Sequence, residues 1–501
     1  MEDIVEDCRG AFNLGITRPL QWRMIQLKNL LRMLDEKSSI FAAALAKDLR
    51  KPNQEALCLE VDYLKNDVRG CINNIGDWTQ DNYVEKNILT LLDQTLVHYD
   101  PLGVVLIMGA WNYPLQLSLA PLAGAISAGN CVIIKPSELA PETAKAIADL
   151  IPQYLDPHCF KVVTGGIPET TELLELRFDY IFFTGSSTVG KIVREAANKH
   201  LTPVTLELGG KSPVYICDSA DVEKTAKRLV WAKLINLGQT CIAPDYVLCS
   251  KAMEQKFISK AQELVKEWYG EDPQKSSNLC RIVNRRNFDR LADILKNTKG
   301  TVIGGRMDKD DLFIEPTMIT GIDAQDSTMQ VELFGPIMPF ITVKNKEEAV
   351  EFINARDKPL SLYVFTNNKD VSALFKEKTS SGSMVINDAI VHLSVDTLPF
   401  GGVGPSGMGS YHGKFTFLTF SHQKSVLVRD FSGFGEMLGA SRYPPYSDNK
   451  IKTLGFLVKN RKIPGFVKWV PYLSCFLAGG AAAVMYKYMA NMYNLDMPDW
   501  F

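Results

Sequence analysis

The sequence predicts an α/β protein built on doubly wound parallel sheets, and three observations carry that prediction. Short β-branched runs alternate with helical patterns from Gly103 to Gly210, and the alternation restarts at Pro213. Each predicted strand of the first stretch is followed by polar or glycine residues. That is where open α/β sheets bind ligands, outside the carboxyl ends of their strands.

The strands of the first stretch are Val104–Met108, Cys131–Ile134, Lys161–Val163, Tyr180–Phe183 and Val204–Leu206. Their near-continuous apolar runs suit parallel strands buried on both faces. Between them, Leu115–Ser127, Glu142–Leu150, Glu169–Leu176 and Thr188–Asn198 carry helical spacing, with Pro141 and Pro168 as start signals. The second stretch reads as strand Pro213–Ile216, helix Asp221–Leu237, strand Tyr246–Cys249, helix Met253–Trp268, and strands near Met338–Val343 and Leu362–Phe365. No elements are drawn between the Glu271–Ser277 loop and Glu315-Pro316. A glycine-rich turn, 400–409, closes this second domain.

Upstream, Arg18 to Leu49 is helical until Lys51-Pro52 stops it, and Asn87 to His98 suggests a β-hairpin around Asp93-Gln94. The expected organisation is one domain from residues 1–84 and 101–208, and a second from 209–419. A hairpin element from 85–100 and about 420–430 accompanies them, then an amphipathic linker over 431–468, a membrane helix over 469–486 and a short tail over 487–501.

Length and composition agree with this. At roughly 150 residues per domain, 501 residues leave room for about three domain-sized units. With 46% hydrophobic and 22% charged residues the chain is neither disordered nor fibrous. Its 55 basic and 57 acidic residues give a net charge of −2, so no overall basic field attracts nucleic acid. The ten cysteines are scattered without a C-x-x-C pair or cysteine–histidine cluster, which argues for reduced thiols, no zinc or other metal site, and a cytosol-facing protein. The acidic start, Met1-Glu2-Asp3-Ile4, lacks the pattern of a signal peptide.

The end of the chain differs from the rest. Trp469–Tyr486 carries no charge, and at ~1.5 Å per residue it reaches ~27 Å, about the hydrocarbon thickness of an endoplasmic-reticulum bilayer. Lys450, Lys452, Lys459, Arg461, Lys462 and Lys468 precede it, whereas Lys487, Asp496 and Asp499 follow. The positive-inside bias therefore puts the main body on the cytosolic side of a tail-anchored protein. A helix packed on a soluble core is the alternative. Ser447–Asn460 places Ile451, Leu454, Leu457 and Val458 on one face, suited to the membrane or a substrate entrance.

Several residues could carry chemistry. Cys241, in Gly238-Gln-Thr-Cys241-Ile-Ala-Pro244, sits in a small polar loop that gives a thiol backbone N–H donors and access; a structural thiol is the alternative. Glu207 follows a buried strand and precedes Gly209-Gly210, where desolvation would raise its pKa toward a general base's range, or it could cap or ion-pair. Asn112 follows the first strand and offers a neutral amide to an oxyanion, or caps the next helix. Thr184, Gly185, Ser186, Ser187, Thr188, Val189 and Gly190 join a strand to a helix whose N–H groups would face an anion, without matching G-x-G-x-x-G. Lys135 and Glu138 lie at the neighbouring rim position, able to bond a ribose diol or to form a surface ion pair.

Eight ordered motifs then make a resemblance. They are Gly-Ala-Trp-Asn-Tyr-Pro (109–114), Ile-Lys-Pro-Ser-Glu (134–138), Phe-Thr-Gly-Ser (183–186), Leu-Glu-Leu-Gly-Gly-Lys (206–211), Gly-Gln-Thr-Cys (238–241), Glu-Leu-Phe-Gly-Pro (332–336), Leu-Pro-Phe-Gly-Gly-Val-Gly (398–404) and Tyr-His-Gly (411–413). Over about residues 5 to 430 the chain resembles the aldehyde dehydrogenases, and within them the class 3, fatty aldehyde dehydrogenase group. The resemblance implies two Rossmann-like domains with a small hairpin used for oligomerisation, and a homodimer. It implies Cys241 as nucleophile, Glu207 as general base and Asn112 as oxyanion donor. It places Lys135 and Glu138 at the adenosine ribose, Gly185 to Gly190 near the pyrophosphate, Glu332 at the nicotinamide ribose and Phe334 against the nicotinamide. Where the family usually has a first glutamate before this last motif, the chain has Val331. Glu138 near the ribose should repel a 2′-phosphate, so NAD is the expected cofactor. A membrane-held aldehyde oxidiser suits lipophilic aldehydes of medium or long chain; a small semialdehyde, or a non-catalytic membrane scaffold of this fold, is the alternative.

Overall fold

The computed structural model describes residues 1–459 and 469–492. Two compact units are present: Met1–Gln80 with His98–Lys424, and Asp81–Val97 with the residues from Ser425 onward.

The first unit holds both large sheets. The six-stranded one runs in the order Gly407–Met408, Val204–Glu207, Tyr180–Thr184, Val104–Met108, Cys131–Lys135, Phe160–Val162. All pairings are parallel except that of Gly407 and Met408 with Glu207 and Leu206. Every residue of Val104–Met108, Cys131–Lys135 and Tyr180–Thr184 is buried, which explains their unbroken apolar runs. The chain winds outward from Val104–Met108 to one side and then, from Tyr180 on, to the other. The switch point lies between those two strands, where carboxyl ends of both open a crevice. The observed helices Pro114–Ala128, Pro141–Tyr154, Ile167–Glu175 and Ser187–Asn198 start with Pro at the first or second position in three cases, a place where a missing N–H costs nothing. Pro114–Ala128 is buried on all sides, so it is a core helix.

The seven-stranded sheet runs Thr301–Ile303, Thr317–Thr320, Ile337–Thr342, Tyr246–Cys249, Pro213–Ile216, Ser361–Phe365, Ser383–Ile386. Only Thr301–Ile303 is antiparallel to its neighbour. Helix Arg285–Asn297 and the short strands Thr301–Ile303, Met307–Asp308 and Phe313–Ile314 occupy the stretch that the sequence left blank. The strands there are two or three residues long, too short to show a period.

Three expectations are corrected. The glycine-rich turn does not stay with the second sheet: Gly407–Met408 returns to edge the first one beside Glu207. The predicted 221–237 helix ends at Leu234, and Asn236 and Leu237 are left-handed at φ 49° and 53°. The Arg18–Leu49 helix is two, Leu20–Glu36 and Ser38–Leu49.

In the second unit, Asn82 and Tyr83 pair with Val97 and Leu96, so the hairpin is wider than a turn at Asp93-Gln94; Asp93 instead accepts from Arg429 at 2.7 Å and the Asp430 N–H at 3.0 Å. The linker holds helices Gly433–Gly439 and Asp448–Val458, the latter capped by Ser447. The C-terminal helix runs Val470–Met492, and its stretch Tyr472–Ala490, 19 residues of mean hydropathy 1.2 and 6% buried, is long and apolar enough to cross a membrane. Asn460, Arg461, Lys462, Lys468, Asp496, Asp499 and the end of the tail lie outside the described residues.

Candidate active site

One cavity of about 290 Å³ lies in the first unit, and Asn112, Glu207, Thr184 and Cys241 all line it. Four stretches of chain deliver them, Thr184 ending the strand Tyr180–Thr184. Asn112 follows the strand Val104–Met108, Glu207 is the last residue of Val204–Glu207, and Cys241 precedes the strand Tyr246–Cys249. The cavity thus joins the carboxyl rim of the first sheet to the amino rim of the second.

Cys241 reaches it by a sharp path. After Leu234 the chain takes the left-handed residues Asn236, Leu237 and Gly238, at about 1–2 kcal/mol for each residue bearing a Cβ. Gly238 has no substitute there, since a Cβ would stand 2.3 Å from the Gly335 carbonyl oxygen. The Tyr363 hydroxyl, donating to the Ile242 carbonyl, and Tyr113, hydrogen-bonded to Thr240 at 3.0 Å, fix the loop from both sides. Burial pushes the Cys241 thiol up to about 12, the Glu332 and Glu207 carboxylates add to this, and the backbone N–H groups of Cys241 and Ile242 act the other way.

Neither carboxylate oxygen of Glu207 has a hydrogen-bond partner, although the residue is buried. Burial alone raises its carboxyl well above the usual range. The helix-cap and ion-pair readings therefore fail, because both would supply a partner. Asn112 does not cap the next helix either. Its Nδ2 donates to the Gln239 carbonyl at 3.0 Å, leaving its second N–H for another acceptor. His412 stacks on Phe400 with centroids 5.0 Å apart, and burial, with a smaller push from His392, holds its imidazole down to about 3. It is absent from the cavity lining, so it is not placed to act there as a base.

The other predicted residues lie outside the cavity lining, apart from Thr184. Lys135 is buried and donates to Glu138 at 2.9 Å, so this is a half-buried pair rather than a surface one. Burial would raise the Glu138 carboxyl, and the Lys135 ammonium more than offsets it, leaving it below the usual range. Ser186 caps the helix Ser187–Asn198, with Gly185 at the switch point and Ser187, Thr188, Val189 and Gly190 in the first turn. Burial, then the Asp245 carboxylate, raises the Glu332 carboxyl to about 8. Phe334, left-handed at φ 51°, meets Trp111 edge-on at 5.3 Å.

These residues fit a dinucleotide. The buried Thr184 hydroxyl lacks a partner, a helix start faces the switch point, and Gly209 keeps clear a space in which a Cβ would lie 2.3 Å from Glu332 Oε2.

Sequence reasoning missed the groups that hold this frame. Lys211 pairs with buried Asp245 and donates to the Thr328 and Val331 carbonyls at 2.8 Å, while Asp245 accepts from the Leu333 N–H at 2.9 Å. Arg290 donates to the Glu332 and Leu333 carbonyls at 3.1 and 2.7 Å. Together they pin the loop carrying Glu332 and Phe334. Lys211 stood within a recognised motif; Arg290 gave no signal because its partners are backbone carbonyls far away in sequence, and Asp245 gave none because the Lys211 ammonium and the Leu333 N–H that hold it are equally remote.

Comparison with known proteins agrees with this geometry. The profile of the Aldehyde dehydrogenase family matches residues 1–426. Aldehyde dehydrogenase family 3 member A2 of Mus musculus is 46% identical over 484 residues, 97% of this chain and 99% of the relative. Aldehyde dehydrogenase, dimeric NADP-preferring, of Rattus norvegicus is 48% identical over 89% of this chain and 98% of its own length. Among solved structures, the substrate-bound state of Staphylococcus aureus AldH superposes with a TM-score of 0.87 at 39% identity, covering 91% of this chain and 99% of that one. The chain belongs to the aldehyde dehydrogenase family, whose members oxidise aldehydes with NAD or NADP.

Proposed function

We propose that the protein oxidises medium- and long-chain aliphatic aldehydes to carboxylic acids, with NAD, at the cytosolic surface of the endoplasmic-reticulum membrane. The observation that carries this reading is the convergence of Cys241, Glu207 and Asn112 on one cavity whose lining is mostly apolar, Leu59, Leu117, Trp231, Ile235, Ile390 and Phe400 among it, with Asn66, Gln116, Thr184, Thr240 and Ser394 as polar exceptions. An apolar wall favours an aliphatic chain over a polar semialdehyde.

The Cys241 thiol releases its proton to solvent and the thiolate attacks the aldehyde carbon, and the carbonyl oxygen becomes an oxyanion held by Asn112 Nδ2 and the Cys241 N–H. A nicotinamide dinucleotide, when bound, supplies the hydride acceptor; Lys135, Glu138, the segment Thr184–Gly190, Glu332 and Phe334 would hold it. Loss of hydride from the substrate carbon leaves a thioester on Cys241. Glu207 then takes a proton from water as its oxygen attacks the thioester, and Cys241 departs as thiolate. Residues 1–84 with 101–208 serve as the nucleotide-binding part and 209–419 as the catalytic part.

Cofactor choice rests on Glu138. The rat relative is named NADP-preferring, so the reading is exposed to a direct check. Wild-type catalytic efficiency should favour NAD, and Glu138→Gln should narrow the preference by about tenfold, equivalent to about 1.4 kcal/mol. Equal efficiency with NADP in the wild type would refute it.

The apolar helix Tyr472–Ala490 supports a tail anchor, with Lys450, Lys452 and Lys459 on the cytosolic side. The hairpin element and the name of the rat relative, which calls that protein dimeric, support a homodimer. The test is NADH formation over a chain-length series with membranes from expressing cells. Efficiency should rise from propanal toward decanal and longer chains, and the full-length protein should resist carbonate extraction. A preference for short polar semialdehydes, or release by carbonate, would sink the corresponding part.

A further inference from the structure

Lys51 and Glu60 form an ion pair whose side chains are both 0% exposed, with Nζ 2.5 Å from Oε1. Burying two charges is costly unless every donor and acceptor is used, and here each is. The Lys51 ammonium has three N–H groups. One goes to Glu60, one to the Asn112 carbonyl at 3.2 Å, and the ring of Tyr113 lies 4.1 Å away for the third. Glu60 Oε2 accepts from the N–H groups of Leu115 and Gln116 at 3.0 and 3.2 Å, in the first turn of Pro114–Ala128. A carboxylate at a helix start is also favoured by the helix dipole. Glu60 points inward from a π-helical turn, Leu57–Val61, an extra-residue distortion often found at functional sites.

The pair acts on the segment 111–116. The Asn112 carbonyl accepts a second hydrogen bond from Asn236 Nδ2 at 2.8 Å, and the same Nδ2 donates to the Gln239 carbonyl at 3.0 Å. Asn112 Nδ2 donates to that Gln239 carbonyl as well. The ring closes: ammonium to Asn112 main chain, Asn112 to Asn236, Asn236 to Gln239, Gln239 back to the Asn112 side chain. Gln239 stands two residues before Cys241. We propose that Lys51 and Glu60 are positioning residues for aldehyde oxidation, holding the Asn112 main chain so that its amide stands at a fixed place beside the Cys241 loop. The inference rests on the reading of Asn112 as the oxyanion donor.

The test compares Lys51→Met, Glu60→Gln and the double variant Lys51→Met/Glu60→Gln in the full chain, each with and without Asn112→Ala. The double variant leaves no unpaired buried charge, so it keeps the test alive if a single variant fails to fold. The expected result is a fall in the first-turnover rate of NADH formation by about 100-fold in the double variant, as for a small misplacement of a catalytic group. KM for aldehyde and cofactor should stay within about twofold. On the Asn112→Ala background the same change should cost almost nothing further. First-turnover rates equal to wild type in a folded double variant, or full additivity with Asn112→Ala, would overturn the proposal. If Asn112→Ala itself leaves the rate unchanged, the oxyanion reading fails instead, and the two failures are told apart.

Discussion

Cys241→Ala abolishes NADH formation from every aldehyde while dinucleotide binding survives. The loss should be at least about 10⁴-fold, since removing a nucleophile leaves only what binding and oxyanion stabilisation supply. The nine other cysteines do not compensate. Of these only Cys58 lines the same cavity, and it is exposed at the π-helical turn rather than backed by N–H donors. Cofactor binding is the internal control, because the segment Ser186–Gly190 and the Lys135–Glu138 pair are outside the cavity lining. It can be followed by fluorescence titration with NADH. Steady-state turnover at the wild-type rate would remove Cys241 from the mechanism.

Glu207→Gln separates the two halves of the reaction. The first turnover should still form NADH, giving a burst of one equivalent per site. The following steady state should fall about 10²–10⁴-fold for want of a base. Glu207 works only when ionised, and burial raises its carboxyl well above the usual range. Wild-type kcat should therefore climb with pH through and above neutrality, and the variant should lose this limb. Stability carries the opposite sign. A carboxyl with an unfolded pKa of about 4.3 and a higher folded value holds its proton longer in the folded state. Its contribution to stability is full below about pH 4.3 and is lost as pH rises toward the folded value. The variant should therefore melt above the wild type at pH 8 and level with it at pH 4. A linear first turnover, or no difference between the two pH values, would contradict this account of Glu207.

Much of the fold was legible because its strands are buried on both faces. Val104–Met108 and Pro213–Ile216 were bounded to the residue, since apolar runs end where polar rim residues begin. The rest failed for physical reasons. Asn236 and Leu237 continue a run of helical spacing that hides their left-handed backbone, and the contact Asn236 makes there, to the Asn112 carbonyl, is with a residue far away in sequence. The edge strand Gly407–Met408 is two residues long, and only its partners Leu206 and Glu207 define it. The site divides likewise. Cys241, Glu207 and Asn112 sit at element ends inside recognisable motifs, so they could be named from the chain alone. Lys51 could not, because Lys51-Pro52 reads as a helix stop and its partners are a glutamate in a distorted helix, a carbonyl and an aromatic ring.

The covalent state of one sulfur is the sharpest check. Glu207→Gln mixed with decanal and NAD, quenched in acid and digested, should yield the peptide holding Cys241 heavier by one decanoyl group, at a stoichiometry matching the NADH burst. A burst with an unmodified Cys241 peptide, or with the acyl group on a different residue, would contradict the convergence of these three side chains on one reaction centre.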